Sequence, residues 1–167
     1  SSSLMNEAWM LFDSRTNQVS LFPPTLIPSF IGSSLEVYLF GATVTKLSDA
    51  QGTPLLFVSR EAVFDGVKPI RGGIPIVFPQ FGDPDPADTE RASLPKHGFA
   101  RTQFWELVPP DTSGNVRFIE LRLTDSESTR SLWEHAFELR LRLELTPTGL
   151  NCGLTIMNTG ELEFACH

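Results

Sequence analysis

Alternation of apolar and polar residues is the clearest pattern in the sequence, and it is strongest in the second half. Between Phe137 and Leu145, apolar residues occupy every second position and charged residues fill the positions between them. Ile119, Leu121 and Leu123 alternate with charged residues in the same way. Because successive side chains of a β-strand point to opposite faces, this period of two predicts strands with one face on a core.

Turn residues separate further apolar runs. The sequence Pro147-Thr148-Gly149 is typical of a hairpin turn, and alternating apolar residues follow it from 150 to 156. Strands are also predicted at residues 35–40, at 41–44 as a continuation through a bend, and as a short apolar run at 55–58. Residues 127–133 are expected to form one helical turn at most. Several amphipathic strands at short spacing, without helical periodicity, predict an all-β fold, an antiparallel β-sandwich.

Prolines give the start of the chain a different character. Pro23, Pro24 and Pro28 cannot donate backbone hydrogen bonds to a strand ladder. We therefore predict an irregular N-terminal lead-in over residues 1–30, with short edge pairing, and a sandwich domain over residues 31–167.

Composition and charge narrow the classes of function. The 167 residues are 41% hydrophobic, which suits one buried core, and the formal net charge of -7 argues against a broad nucleic-acid surface. One local basic pocket would still suffice for a small anion. No apolar run approaches membrane-spanning length. Two cysteines are too few for a secreted disulfide framework, and no signal peptide is evident, so we predict a cytoplasmic location. A plastid or other organelle, reached by a transit peptide that is later removed, is the alternative.

The segment from Lys68 to Arg101 concentrates the residues with the most chemistry. It opens with Arg71 beside two glycines and closes with His97 beside Gly98. Glycine permits backbone angles closed to other residues, so a chain held at these points can position a neighbouring guanidinium or imidazole. Two hairpin turns with solvated charges would explain either cluster alone. Two such clusters in one segment favour a binding site. Between them, residues 83–90 form an acidic, proline-containing loop that we expect to be exposed and mobile.

These residues resemble a known family. Three motifs carry the resemblance: Arg71-Gly72-Gly73-Ile74-Pro75, Phe78-Pro79-Gln80-Phe81-Gly82 and His97-Gly98-Phe99-Ala100-Arg101. They are similar to those of the glucose-6-phosphate 1-epimerase (hexose-6-phosphate mutarotase) branch of the aldose 1-epimerase superfamily. The resemblance runs from about residue 30 to the last residue, His167.

The resemblance implies a galactose mutarotase-like supersandwich, of which this chain holds the N-terminal part. It implies an isomerase that interconverts the α and β anomers of glucose 6-phosphate, with no cofactor and no metal. Ring opening needs one acid and one base on opposite sides of the sugar. The glutamate that serves as base in the family is expected in the C-terminal part, so we predict that this chain alone has no mutarotase activity. Its uncovered sheet is expected to favour self-association.

The resemblance also assigns roles to individual residues. Histidine suits acid catalysis because its unperturbed pKa lies near physiological pH. By the match, His167 is the general acid, His97 is a second catalytic histidine, and the substrate ligands are Arg71 and Arg101 for the phosphate, with Lys96 and Gln80 in addition. His135 lies between aromatic residues and is interpreted as structural. Cys166 adjoins His167, but neighbours on a strand face opposite ways, which makes a Cys/His dyad geometrically poor.

Other functions remain open at this level. The chain is alternatively a mutarotase-like carbohydrate-binding module without catalysis, an aldose 1-epimerase acting on unphosphorylated sugar, or an interaction domain that uses a sheet face. The predicted partner is a small sugar phosphate, with no nucleic acid and no membrane.

Overall fold

Two four-stranded antiparallel sheets make up almost all of the regular structure. The computed structural model describes residues 9–22, 33–109, 118–146 and 148–167. The first sheet has the order β1-β2-β3-β4 and the second β5-β6-β7-β8. In chain order the elements are β1 (Trp9–Asp13), β2 (Gln18–Phe22), β3 (Ser34–Tyr38), β4 (Thr43–Ser48), a 3₁₀ turn (Ala100–Thr102), β5 (Glu106–Leu107), β6 (Phe118–Thr124), α1 (Glu127–Arg130), β7 (Phe137–Thr146) and β8 (Gly149–Asn158).

The alternating pattern of the second half is confirmed residue by residue. Along β7, every second side chain from Phe137 to Leu145 is buried. In β6, Ile119, Leu121 and Leu123 are buried on the same side. The two strands are paired so that Leu121 lies opposite Leu141, which puts both apolar rows on one face. The helix α1 has four residues, as the prediction of one turn at residues 127–133 requires.

Two expectations for the first half are wrong. Residues 41–44 do not continue the preceding strand: the chain reverses at Gly41 and Ala42, with φ of 74° and 46°, and β4 pairs antiparallel with β3. Only glycine fits at position 41, because a Cβ there would lie 2.5 Å from the carbonyl oxygen of Arg101. Residues 55–58 form no strand, and Val58 alone among them makes an isolated bridge, to Gly72. Leu55 and Phe57 are exposed, and Leu56 is only partly buried against the core.

The predicted lead-in contains regular structure where it is described. Strands β1 and β2 form a hairpin, and β2 also pairs with β3, so it is an interior strand of its sheet. Pro23, Pro24 and Pro28 lie outside the described residues, and the domain boundary after residue 30 stays a prediction.

One hydrophobic core draws on both sheets and on the segment between them. Val37 of β3 and Leu141 of β7 belong to the same buried cluster. Phe78 lies inside it, with its ring 6.0 Å from that of Phe99 and 5.2 Å from that of Phe137. The connection between the sheets is therefore anchored from within the core. No helix among the described residues is long and apolar enough to cross a membrane.

Candidate functional site

The two central motifs meet through their backbones. The N–H of Phe99 donates to the carbonyl oxygen of Phe78 at 3.0 Å. Gly98 has a φ of 68°, and a Cβ at that position would lie 2.0 Å from the same oxygen. Any other residue would force the two backbones apart. This crossing places residues 79–82 directly beside His97.

His97 is fixed by a reciprocal pair of hydrogen bonds with Gly82. The backbone N–H of His97 donates to the carbonyl of Gly82 at 2.7 Å, and the N–H of Gly82 donates to Nδ1 of His97 at 2.9 Å. Because Nδ1 accepts, the neutral ring carries its proton on Nε2. The Phe81 ring lies 4.8 Å from the imidazole and is 74% exposed. The fixed ring therefore offers one Nε2–H donor beside an exposed aromatic face.

His167 reaches the same segment from the other end of the chain. Its backbone N–H donates to the carbonyl oxygen of Pro79 at 3.1 Å. The next residue, Gln80, is buried, and its side-chain nitrogen Nε2 has no hydrogen-bond partner among the described residues. The backbones of His97 and His167 are thus both tied to residues 79–82, the segment that contains Gln80.

Arg101 and Lys96 lie in contact on the far side of the histidine turn. Nη2 of Arg101 donates to the backbone carbonyl of Lys96 at 2.8 Å. Nε of Arg101 is buried and has no partner within the described parts of the chain. The Lys96 ammonium instead pairs with Asp83 at 2.9 Å, with 57% of its side chain exposed. Lys96 is therefore already paired, whereas Arg101 retains an unused donor.

Arg71 is held by its backbone and leaves its side chain free. A Cβ at Gly73 would lie 2.1 Å from the carbonyl of Val44, so the segment lies tightly against β4. Arg71 is exposed, and its guanidinium has no hydrogen bond or ion pair within residues 9–22, 33–109, 118–146 and 148–167. No contact joins it to the other five predicted residues in those ranges. The β3–β4 turn links it indirectly to Arg101, because Gly41 packs on Arg101 and Val44 pairs with Ile74.

The acidic loop is less free than its composition suggests. Its tip is exposed as predicted, but Glu90 at its end contacts two buried rings. The Glu90 carboxylate accepts from Nε1 of Trp133 at 3.1 Å and contacts Nε2 of His135. His135 is 9% exposed and packs 4.4 Å from Trp133, which agrees with a structural role. The loop is therefore anchored to the core at its C-terminal end.

Sequence reasoning also missed the neighbouring ion pair of Asp88 and Arg91. Nε of Arg91 donates to Asp88 at 2.7 Å, and Nη1 donates to the carbonyl of Ala165 at 3.0 Å. This hydrogen bond to Arg91 is the main cause that holds the pKa of the Asp88 carboxyl below its usual value. The Asp-x-x-Arg spacing was a local signal for the ion pair, but nothing in the sequence indicated a contact 74 residues away.

A cavity of about 290 Å³ lies apart from these residues, beside Tyr38, Phe40 and Phe104. Tyr38 points away from the core that holds its neighbour Val37. None of the six predicted site residues lines this cavity, so we assign it no part in the proposed chemistry. The described residues also contain no group of three or more His, Cys, Asp or Glu placed to hold a metal ion.

Comparison with known proteins gives one consistent answer. Residues 27–167 match the family model described as aldose 1-epimerase. A protein of Cenchrus ciliaris named "Putative glucose-6-phosphate 1-epimerase" is 42% identical over 130 residues, which are 74% of this chain and 37% of that protein. A protein of Escherichia coli strain K12 with the same name is 32% identical over 125 residues, 75% of this chain and 40% of that protein.

Solved structures show the same fold. A protein from Synechocystis has a TM-score of 0.65 at 27% identity, covering 96% of this chain and 52% of that one. A structure from Salmonella typhimurium, titled as a putative mutarotase, has a TM-score of 0.66 at 24% identity, covering 94% of this chain and 49% of that one. The two sheets described above are thus a mutarotase-like fold, and the chain spans about half or less of the length of these relatives.

Proposed function

The chain belongs to the aldose 1-epimerase family, and on that basis we propose that the protein interconverts the α and β anomers of a hexose 6-phosphate, with glucose 6-phosphate as the substrate. The names of the two relatives described above support this substrate. The reaction is an isomerisation by acid and base, and the proposal includes no cofactor.

Two buried side-chain donors in the segment from Gln80 to Arg101 are the observation that carries the proposal. Nε2 of Gln80 and Nε of Arg101 are both buried without a partner in the described residues. A buried donor without an acceptor costs about 1–3 kcal/mol, and a ligand that supplies the acceptor removes this cost. Gln80 belongs to residues 79–82, to which the backbones of His97 and His167 are hydrogen-bonded, and Arg101 bonds to Lys96, the residue before His97. A polyhydroxylated, anionic sugar supplies the acceptors that these donors need.

Ring opening requires a proton delivered to the ring oxygen and another removed from the C1 hydroxyl. We assign His167 as the general acid. His97 presents Nε2–H as a fixed donor that stabilises charge developing on the sugar. No carboxylate among the described residues contacts either imidazole. The general base is accordingly proposed to be a carboxylate outside this 167-residue sequence.

The phosphate is assigned to arginine rather than lysine. A guanidinium binds phosphate oxygens through two parallel N–H donors, which gives both strength and direction. Arg71 is exposed and unpaired in the described residues, and Arg101 has a free Nε. Lys96 is paired with Asp83. We assign it a secondary part in substrate binding, for which its ammonium group must leave Asp83 and bind the substrate instead.

Polarimetry with α-glucose 6-phosphate and with α-glucose tests the reaction class in the intact protein. We expect the protein to accelerate mutarotation of glucose 6-phosphate and His167→Asn to abolish this acceleration. Acceleration of the mutarotation of glucose alone would identify an aldose 1-epimerase for unphosphorylated sugar. Binding of sugar without acceleration would identify a carbohydrate-binding module, and either result would overturn the proposal.

The phosphate assignment has its own test. Arg71→Ala should raise KM for glucose 6-phosphate by roughly 10- to 100-fold, the value of a lost charged hydrogen-bond pair. KM for any residual activity on glucose should change much less. Arg60→Ala is the matched control, because Arg60 is also exposed and lies near Arg71 on the paired segment, where Ser59 donates to the Arg71 carbonyl. Equal effects of Arg71→Ala on both sugars would contradict the assignment.

Self-association and location stay predictions. Strand β8 is at the edge of its sheet, and Ile156 on it is 39% exposed, which supports association through this edge. A cytoplasmic location, or an organellar one, is supported only by composition.

A further inference from the structure

We propose that Arg91, held in place by Asp88, is a positioning residue that sets where His167 lies relative to the substrate. The inference rests on the proposed function, because it gives a purpose to the placement of the general acid. It assigns no direct contact with sugar to Arg91.

The first contact is between Arg91 and the backbone just before His167. Nη1 of Arg91 donates to the carbonyl oxygen of Ala165 at 3.0 Å. The other side of the same guanidinium pairs with Asp88, whose carboxylate also accepts from the backbone N–H of Glu90 at 3.1 Å. A guanidinium fixed on one edge by a carboxylate presents its other edge in a defined direction.

The second contact lies on the other side of Cys166. The N–H of His167 donates to Pro79, so hydrogen bonds at residues 165 and 167 fix the backbone on both sides of one residue. Their partners, Arg91 and Pro79, belong to the central segment that also carries His97. The placement of one histidine relative to the other thus depends on these two bonds.

The same loop also holds the side chain of Phe164. Its ring lies 4.9 Å from Trp133 and 5.4 Å from His135. Both of these rings contact the Glu90 carboxylate. Glu90 therefore supports Phe164 indirectly, through the rings of Trp133 and His135, while Arg91 bonds directly to Ala165, the residue after Phe164. Two consecutive loop residues act on two consecutive residues of the segment that leads to His167.

Arg91 differs from the other arginines that form ion pairs within the described parts of the chain. Arg15, Arg122, Arg130 and Arg140 pair with carboxylates while 41–88% of each side chain remains exposed. Arg91 is 14% exposed and joins its ion pair to a backbone carbonyl distant in sequence. Exposed pairs of the first kind contribute little, whereas a guanidinium that is held in a partly buried ion pair and also bonds a second segment restricts the relative position of the two segments.

The test is Arg91→Lys in the intact protein, with Arg122→Lys as the matched control. Lysine keeps the charge but cannot bridge Asp88 and Ala165 with a planar fork. We expect kcat for glucose 6-phosphate to fall roughly 10-fold or more, as expected when a reacting group is misplaced, with KM changed by about twofold or less. Arg122→Lys, which alters an exposed pair with Glu106, should match the wild type.

A spectroscopic readout separates this inference from the function on which it rests. The imidazole signals of His167, identified by their loss in His167→Asn, should shift in Arg91→Lys and not in Arg122→Lys. If the wild type lacks mutarotase activity, the proposed function fails, and the signals still report whether Arg91 positions His167. Unchanged signals with unchanged kcat would overturn the inference. So would a fall in kcat that is equal in Arg91→Lys and Arg122→Lys.

Discussion

The paired strands β6 and β7 and the segment from Phe78 to Arg101 achieve order in different ways. In the strands, every second side chain is buried, and the backbone follows regular antiparallel pairing. In the segment, isolated bridges and turns replace a continuous ladder, and His97 and Gly98 both adopt positive φ. The strands contain no buried polar atom without a partner, whereas Gln80 and Arg101 in the segment each have one.

The difference separates stability from function. Apolar burial in the strands is non-directional and tolerates change of shape more readily than change of volume. Backbone contacts in the segment fix directions, because a hydrogen bond weakens steeply as its angle departs from linear. Apolar burial in the strands stabilises the folded protein. This stabilisation offsets the cost of the buried donors that have no partner in the segment. Substitutions in the two regions should therefore fail in different ways.

Gly98→Ala should have the largest effect. The added Cβ would lie 2.0 Å from the Phe78 oxygen at a φ of 68°, so it combines a backbone clash with left-handed strain. We expect a loss of on the order of 4 kcal/mol in the free energy of unfolding, or failure to fold. Denaturant unfolding of the intact protein measures this loss.

Gly52→Ala is the matched control for that substitution. Gly52 has a φ of 78°, but no heavy atom lies within 4 Å of a Cβ built there. It should cost about 1–2 kcal/mol through strain alone. Equal losses at the two glycines would show that the close approach of Gly98 to Phe78 contributes nothing.

Leu141→Ala tests the other side of the comparison. Leu141 is 0% exposed in the middle of β7, so its truncation removes apolar burial and leaves a cavity. We expect a loss of about 3 kcal/mol, with the fold and any activity of the remaining folded protein retained. Chemical denaturation gives the first quantity and polarimetry the second. Loss of activity in fully folded Leu141→Ala would contradict the separation of stability from function.

The regular half of the fold could be predicted because its information is local. Strict alternation over Phe137 to Leu145 indicates a strand, a buried face and its register at once. The reversal at Gly41 was not readable in the same way, because it depends on packing against Arg101 sixty residues later. The apolar run at residues 55–58 gave a wrong prediction because only Leu56 packs against the core, whereas Leu55 and Phe57 are exposed.

The sequence supplies candidate residues for the site but not their arrangement. Motifs point to His97, Gln80 and Arg101, whose roles stay predictions, and the structure ties the backbones of His97 and His167 to residues 79–82. The contacts of Glu90 with Trp133 and of Arg91 with Ala165 join residues far apart in the sequence. No periodicity or motif encodes such pairs, since they arise only when the loop and the last segment pack on the same rings.

Gln80→Met should raise the stability of the protein and lower its activity. Nε2 of Gln80 is buried without an acceptor, and methionine has a similar length with no unsatisfied N–H. Removing the unmade hydrogen bond should stabilise the protein by about 1 kcal/mol, while mutarotation of glucose 6-phosphate weakens. Thermal unfolding and polarimetry on the same preparation check this. A variant that is less stable and equally active would show that Gln80 serves packing rather than substrate.

Asp88→Asn should have the smallest effect, and its pH dependence identifies the cause. The pKa of Asp88 is lowered in the folded protein, chiefly by the hydrogen bond from Arg91, so the folded state favours the ionised carboxylate. That contribution is present above the unfolded pKa of about 3.9 and is lost as pH falls through the lower folded pKa. The wild type should thus unfold at a higher temperature than Asp88→Asn near neutral pH, and this difference in unfolding temperature should disappear in acid below about pH 4.

The control uses an Arg91→Met background. There the difference in unfolding temperature at neutral pH should shrink, because Arg91, the main partner of Asp88, is gone. A gap that is independent of pH would show that Asp88 acts through its shape and its turn rather than through its charge on Arg91.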